Sequence, residues 1–101
     1  MAYSFTQDVP IDAAMYRRIL DGLGAEPPKG LVVHVATENP NGGLRYFDLW
    51  EAEKDFDRFA HDRLHPVVQG LLSEIFGQDL PPEPDRTSWP VIHVWRPETT
   101  S

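Results

Sequence analysis

Between Leu44 and Pro66 the hydrophobic period of the chain changes from two to about 3.6. From Leu44 to Glu51 the residues alternate across a pleat, with Phe47 and Leu49 on one side and Tyr46, Asp48 and Trp50 on the other, which predicts a strand. Large side chains on both sides predict that both faces are covered. From Ala52 onward Phe56, Phe59, Ala60, Leu64, Val67, Leu71 and Ile75 recur on one stripe, while Lys54, Asp55, Arg58, His61, Asp62 and His65 lie elsewhere. That stripe predicts a helix lying on a sheet. Pro66 has no amide hydrogen and its ring crowds the preceding turn, so a kink or break is expected there, followed by a second helical piece from Val67 to Phe76 that Gly77 stops.

The remaining segments supply the partners. Ala2 to Thr6 alternates Tyr3 and Phe5 with Ser4 and Thr6, a short strand. Asp12 is an N-cap for a helix to about Leu23, with Met15, Ile19 and Leu23 on its apolar stripe, Tyr16 and Leu20 at its flanks, and Gly22 and Gly24 at its end. After the stiff Pro27-Pro28 connection, Leu31 to Glu38 is a β-branched strand interrupted only by His34. Asn39-Pro40-Asn41-Gly42-Gly43 is the strongest turn signal. A loop with Pro81, Pro82 and Pro84 crosses back, and Thr87 to Trp95 is expected to form a last strand.

The order strand, helix, strand, strand, helix, strand is the ferredoxin-like βαββαβ arrangement, an α+β fold in which both helices cover one face of a four-stranded antiparallel sheet. Residues 1–96 then form a single domain, and residues 97–101 a loose tail. The second sheet face is apolar and would meet water in a monomer, which marks an interface. At 101 residues the chain has one small core and gains from a partner subunit, so a homodimer is expected, two sheets closing into a barrel.

Composition narrows the chemistry. There are no cysteines, so disulfides and thiolate metal sites are excluded. Met1 to Val9 lacks a basic start and an apolar run, and no segment approaches the roughly 20 apolar residues of a membrane span, so a cytoplasmic protein off the membrane is expected. A formal net charge of −7 repels phosphate backbones and argues against nucleic acid.

The Asp48-Leu49-Trp50-Glu51 strand end, the helix with Phe56 and Phe59, the Arg63-Leu64-His65-Pro66 close, the Gly30-Leu31-Val32-Val33-His34-Val35 strand and a late strand carrying His93 together resemble the dimeric α+β barrel proteins. Within them the chain is similar to the small antibiotic-biosynthesis-monooxygenase-like group. The resemblance covers Tyr3 to Trp95 and rests on fold-level motifs. It implies a homodimer and, by analogy, cofactor-free oxygenation of a flat aromatic or polyketide-type molecule; haem degradation is the group's other activity, with His34 or His93 as the ligand to test. The catalytic Asn, Trp and His or Arg of those enzymes have no residue-by-residue match here.

The chemistry-bearing constellation is His34 with Asp48. A three- or five-residue loop at Asn39 to Gly43 would put His34, Tyr46, Asp48 and Trp50 on one face and Leu31, Val33, Val35, Phe47 and Leu49 on the other; a two-residue turn at Asn41-Gly42 would set His34 beside Leu49. The first register is preferred because it separates an apolar face from a mixed one. His34 is then the candidate base, with Asp48 fixing its tautomer and Tyr46, Trp50, His93 and Trp95 lining a substrate pocket. No metal and no cofactor are required. The competing reading is a buried His-Asp pair that only fixes register. His61 and His65 stand four apart on a helix but on its solvent side, and two imidazoles are too few for a catalytic zinc. Arg45 could hold an acidic group, and Glu51 is expected to meet free backbone amides of the first helical turn.

Overall fold

The computed structural model describes residues 1–97, so most of the expected tail lies outside the described residues. Four strands form one antiparallel sheet: β1 (Tyr3–Val9), β2 (Leu31–Glu38), β3 (Leu44–Trp50) and β4 (Arg86–Trp89), in the order β2-β3-β1-β4. Helix α1 (Ala13–Leu23) connects β1 to β2, and a helical run from Glu53 to Phe76 connects β3 to β4. This is the α+β order that the sequence pattern predicts.

Local chemistry explains the boundaries. The Asp12 carboxylate accepts from the Met15 amide at 2.8 Å, which satisfies one of the free amides at the start of α1. The expected break at Pro66 takes another form. Helix α2 (Glu53–Phe59) passes through a wide π-helical turn (Ala60–Leu64) into α3 (His65–Phe76) without interruption, and the His65 amide bonds to the Ala60 carbonyl five residues back. A widened turn makes room for a proline ring that a regular turn would crowd. Gly77 caps the run at φ 64°, as its sequence position predicts.

Three strands differ from the sequence reading. β1 runs past Thr6 to Val9, because Gln7, Asp8 and Val9 continue the ladder to Tyr46, Arg45 and Leu44 of β3. β4 ends at Trp89 rather than Trp95, because Pro90 has no amide hydrogen with which to continue the ladder to β1. In β2 a bulge at Val32 shifts the register between Leu31 and Val33. Leu31 therefore pairs with Trp50 and packs on the core, not on the opposite face with Val33 and Val35.

The core lies between the sheet and α2, where Phe5, Trp50, Phe56 and Ala60 are buried and Tyr3, Leu31 and Phe59 close around them. Phe5 and Trp50 meet Phe56 edge-on, with ring centroids 4.9 and 5.5 Å away. The Arg86 guanidinium caps this cluster from β4, 4.6 Å from the Phe56 ring centroid. Among the described residues no helix lies over the other sheet face. Val33, Val35, Phe47 and Trp89 are exposed there, and with Pro90 to Val94 they line a groove of about 510 Å³. Among the described residues no helix is long and apolar enough to cross a membrane.

Candidate active site

The β2–β3 hairpin builds the site. Glu38 pairs with Leu44, leaving a five-residue loop in which the Asn39 amide bonds to the Gly43 carbonyl at 3.0 Å and the Asn39 side chain accepts from the Asn41 amide. Gly43 sits at φ 75°, where a Cβ would collide with the Val9 carbonyl, so the turn requires glycine there. A loop of this length sets His34 directly opposite Asp48. Their shared face points toward the helices, as the preferred register requires.

A chain of four side chains results. Trp50 Nε1–H donates to Asp48 Oδ2 at 3.0 Å. His34 Nδ1 stands 2.6 Å from Asp48 Oδ1, and Tyr16 Oη 2.8 Å from His34 Nε2. An indole nitrogen only donates and both carboxylate oxygens here accept, so Nδ1 carries the hydrogen. In the neutral ring Nε2 is then the acceptor, and the Tyr16 hydroxyl donates to it. The Asp48 side chain is only 7% exposed, against 26% for that of His34. The carboxylate is an interior anchor, and the imidazole is partly exposed.

Two phenols enclose the imidazole. Tyr16 lies nearly parallel to it, at 17° and 6.0 Å between centroids, while Tyr46 meets it edge-on at 5.0 Å. Burial, and next the Asp48 charge, push the Tyr16 hydroxyl above its ordinary pKa. Burial does the same more strongly to Tyr46, helped by Tyr16 and Asp48. Both phenols therefore stay protonated at neutral pH, and Tyr16 keeps the hydrogen it donates.

The expected pocket residues divide. His34, Asp48, Tyr46 and Trp50 come together, but Trp50 is 1% exposed, with its indole N–H bound to Asp48. It serves as core and as an orienting donor. His93 and Trp95 lie beyond the end of β4, ring to ring at 6.5 Å; Trp95 is 89% exposed, and His93 lines the groove on the open sheet face. Neither is among the polar or ring partners of His34. Arg45 is held by Asp8 through two bonds of 2.6 and 3.0 Å, and Glu51 pairs with Arg96 at 2.8 Å instead of with the first turn of α2.

Tyr16 is the residue that sequence reasoning missed. It stands at the edge of the α1 apolar stripe, and the signal available was a phenol on a helix that must cross the strand carrying His34. On the π-helical turn His61 pairs with Asp62, while on α3 His65 Nε2 lies 3.5 Å from Glu83. Among the described residues no group of three or more His, Asp or Glu side chains is placed to hold a metal ion. A second groove, of about 570 Å³, lies between the Leu23 to Lys29 connection and α2, lined by Asp55, Arg58, Phe59 and Arg63.

No family model matches the chain, and neither the curated proteins nor the solved structures include a match.

Proposed function

We propose that this chain is a small cofactor-independent oxygenase-like enzyme that removes a proton from a flat phenolic or polyketide-type molecule, with His34 as base and Asp48 as its positioning partner. The observation that carries the reading is the 2.6 Å contact of His34 Nδ1 with Asp48, which leaves Nε2 as the acceptor of a phenolic O–H, that of Tyr16 at 2.8 Å. Nε2 thus already accepts from a phenolic hydroxyl, that of Tyr16. Loss of the proton gives an electron-rich phenolate, which reduces dioxygen in one-electron steps to a carbon-bound peroxide anion. The imidazolium returns its proton to make the hydroperoxide, which loses one water with the hydrogen of the same carbon and leaves a quinone, so one phenol and one dioxygen become one quinone and one water. The resemblance to the antibiotic-biosynthesis-monooxygenase-like proteins supports this choice of reaction.

In this reading the working unit is a homodimer whose open sheet faces pair. The support is the uncharged surface of Val33, Val35, Phe47, Leu49 and Trp89, large side chains that a lone chain leaves against water. A second reading, a non-catalytic dimeric scaffold, is favoured by Trp50: with its N–H on Asp48, both carboxylate oxygens are satisfied internally, as in a purely architectural pair.

The test is aerobic turnover of a panel of polycyclic phenols, read by oxygen uptake and quinone absorbance. Wild type should turn over at least one, and His34→Gln should abolish turnover while the dimer stays folded. Equal rates in the two proteins would remove His34 from the chemistry and leave the scaffold.

A further inference from the structure

We propose that Tyr16 is a proton relay: the acidic hydrogen of the substrate passes to the Tyr16 oxygen while the Tyr16 hydroxyl hydrogen passes to His34 Nε2. The proposal rests on the base reading above and names the group that meets the substrate. At 2.8 Å the Tyr16 hydroxyl already occupies the one lone pair that His34 has to offer. The phenol is fixed in place from its own helix, since the Tyr16 amide donates to the Asp12 carbonyl at 3.0 Å and the Asp12 side chain caps the same turn at 2.8 Å. The rings add to this. Tyr46 closes on both members of the pair, 5.0 Å from His34 and 5.7 Å from Tyr16, and shields the imidazole on a second side. Direct access to Nε2 would require the Tyr16 hydroxyl to leave it, whereas the Tyr16 oxygen has a second lone pair for an incoming hydrogen-bond donor.

The transfer balances within the chain. The substrate X–H bond and the Tyr16 O–H bond break, a new O–H forms on Tyr16, and an N–H forms on His34. Tyr16 ends neutral, the substrate carries the negative charge, and the imidazolium is held against Asp48. No redox partner takes part in this step. The substrate therefore binds toward the first turn of α1, on the helix side of the sheet, and not in the groove of the open face. Its acidic group is an O–H or an activated C–H presented to a phenol.

A nitrobenzisoxazole tests this, because removal of its single ring C–H opens the ring to a coloured nitrophenolate and reports proton abstraction alone. Wild type should exceed the solution reaction, and Tyr16→Phe and His34→Gln should each lose about a hundredfold or more of that rate, the usual worth of a placed acid–base group. Ring 15N NMR of the Tyr16→Phe protein should still find the hydrogen on Nδ1, which shows that the Asp48 pair is intact. A Tyr16→Phe rate equal to or above wild type, with His34→Gln inactive, would overturn the relay and leave His34 as a direct base. Loss of the Nδ1 hydrogen in Tyr16→Phe would also overturn it, since Tyr16 would then be packing that holds the pair. A wild-type rate no higher than solution, or one unchanged by His34→Gln, would overturn the base reading and the relay with it.

Discussion

Replacing Asp48 by asparagine keeps the shape of the site and changes only which atoms donate. The carboxylate accepts from both Trp50 Nε1 and His34 Nδ1. An amide can accept on one side alone. If its oxygen faced His34, its NH2 would face the indole N–H, donor against donor, in a buried position. The favourable orientation turns the oxygen to Trp50 and the NH2 to His34, so that Nδ1 becomes an acceptor and the hydrogen moves to Nε2. Tyr16 must then accept instead of donate. Every polar atom keeps a partner, and the cost is the difference between two bonds to a charged group and two neutral ones, about 1 kcal/mol each and about 2 kcal/mol in all. For a chain of this size that lowers Tm by about 8–16 °C. Asp48→Ala leaves two buried donors without partners and should cost more, about 3–5 kcal/mol. Urea unfolding at neutral pH measures both. Equal losses in the two variants, or no loss in Asp48→Asn, would refute the view that Asp48 is an acceptor for two interior donors.

Four further outcomes follow from the same geometry. Under the proposed pairing of open sheet faces, wild type should scatter light as a dimer and Phe47→Lys, which places a charge on that face, as a folded monomer; a dimer in both would put the interface elsewhere, and a monomeric wild type would refute the pairing. Gly43→Ala forces a side chain into a left-handed position against the Val9 carbonyl and should cost more than about 1 kcal/mol in urea unfolding, with the His34–Asp48 pairing weakened as the hairpin shifts. Phe56→Ala removes the ring that Phe5 and Trp50 pack on and should cost about 3–5 kcal/mol. Stability should also fall as pH rises above about 10: Tyr16 and Tyr46 have raised folded-state values, so the unfolded chain loses its phenolic protons first and is favoured from its own pKa upward. Denaturation midpoints across that range should flatten when both tyrosines are replaced by phenylalanine.

The parts of the fold that depend on period and punctuation were legible in the sequence. Alternation around Phe47 and Asp48, the stripe through Phe56 and Ala60, and the turn residues from Asn39 to Gly43 are local signals; together they gave the order of elements and the preferred register, in which His34 shares a face with Asp48. What escaped depends on tertiary geometry. The bulge at Val32 that turns Leu31 inward comes from fitting β2 against Trp50, not from the residue types in LVVHV. The wide turn at Ala60–Leu64 is one of several ways to accommodate Pro66, and sequence does not choose among them. Trp50 reads equally well as a pocket wall or as core, and only its depth beneath Phe56 and Phe59 assigns it to the core. Tyr16 was hidden because the rotation of a helix about its axis is fixed by what it packs on. A flank residue of the α1 stripe thus became the partner of a histidine on the strand that follows it.

The claim at the centre of this account is the state of one ring, and long-range 1H–15N NMR of His34 at neutral pH measures it directly. In the neutral form of the ring the geometry predicts the hydrogen on Nδ1, held by Asp48, and an Nε2 that couples to the Tyr16 hydroxyl proton. A hydrogen on Nε2 in the neutral ring would mean that the lone pair points at Asp48, and that the site presents no base to a substrate.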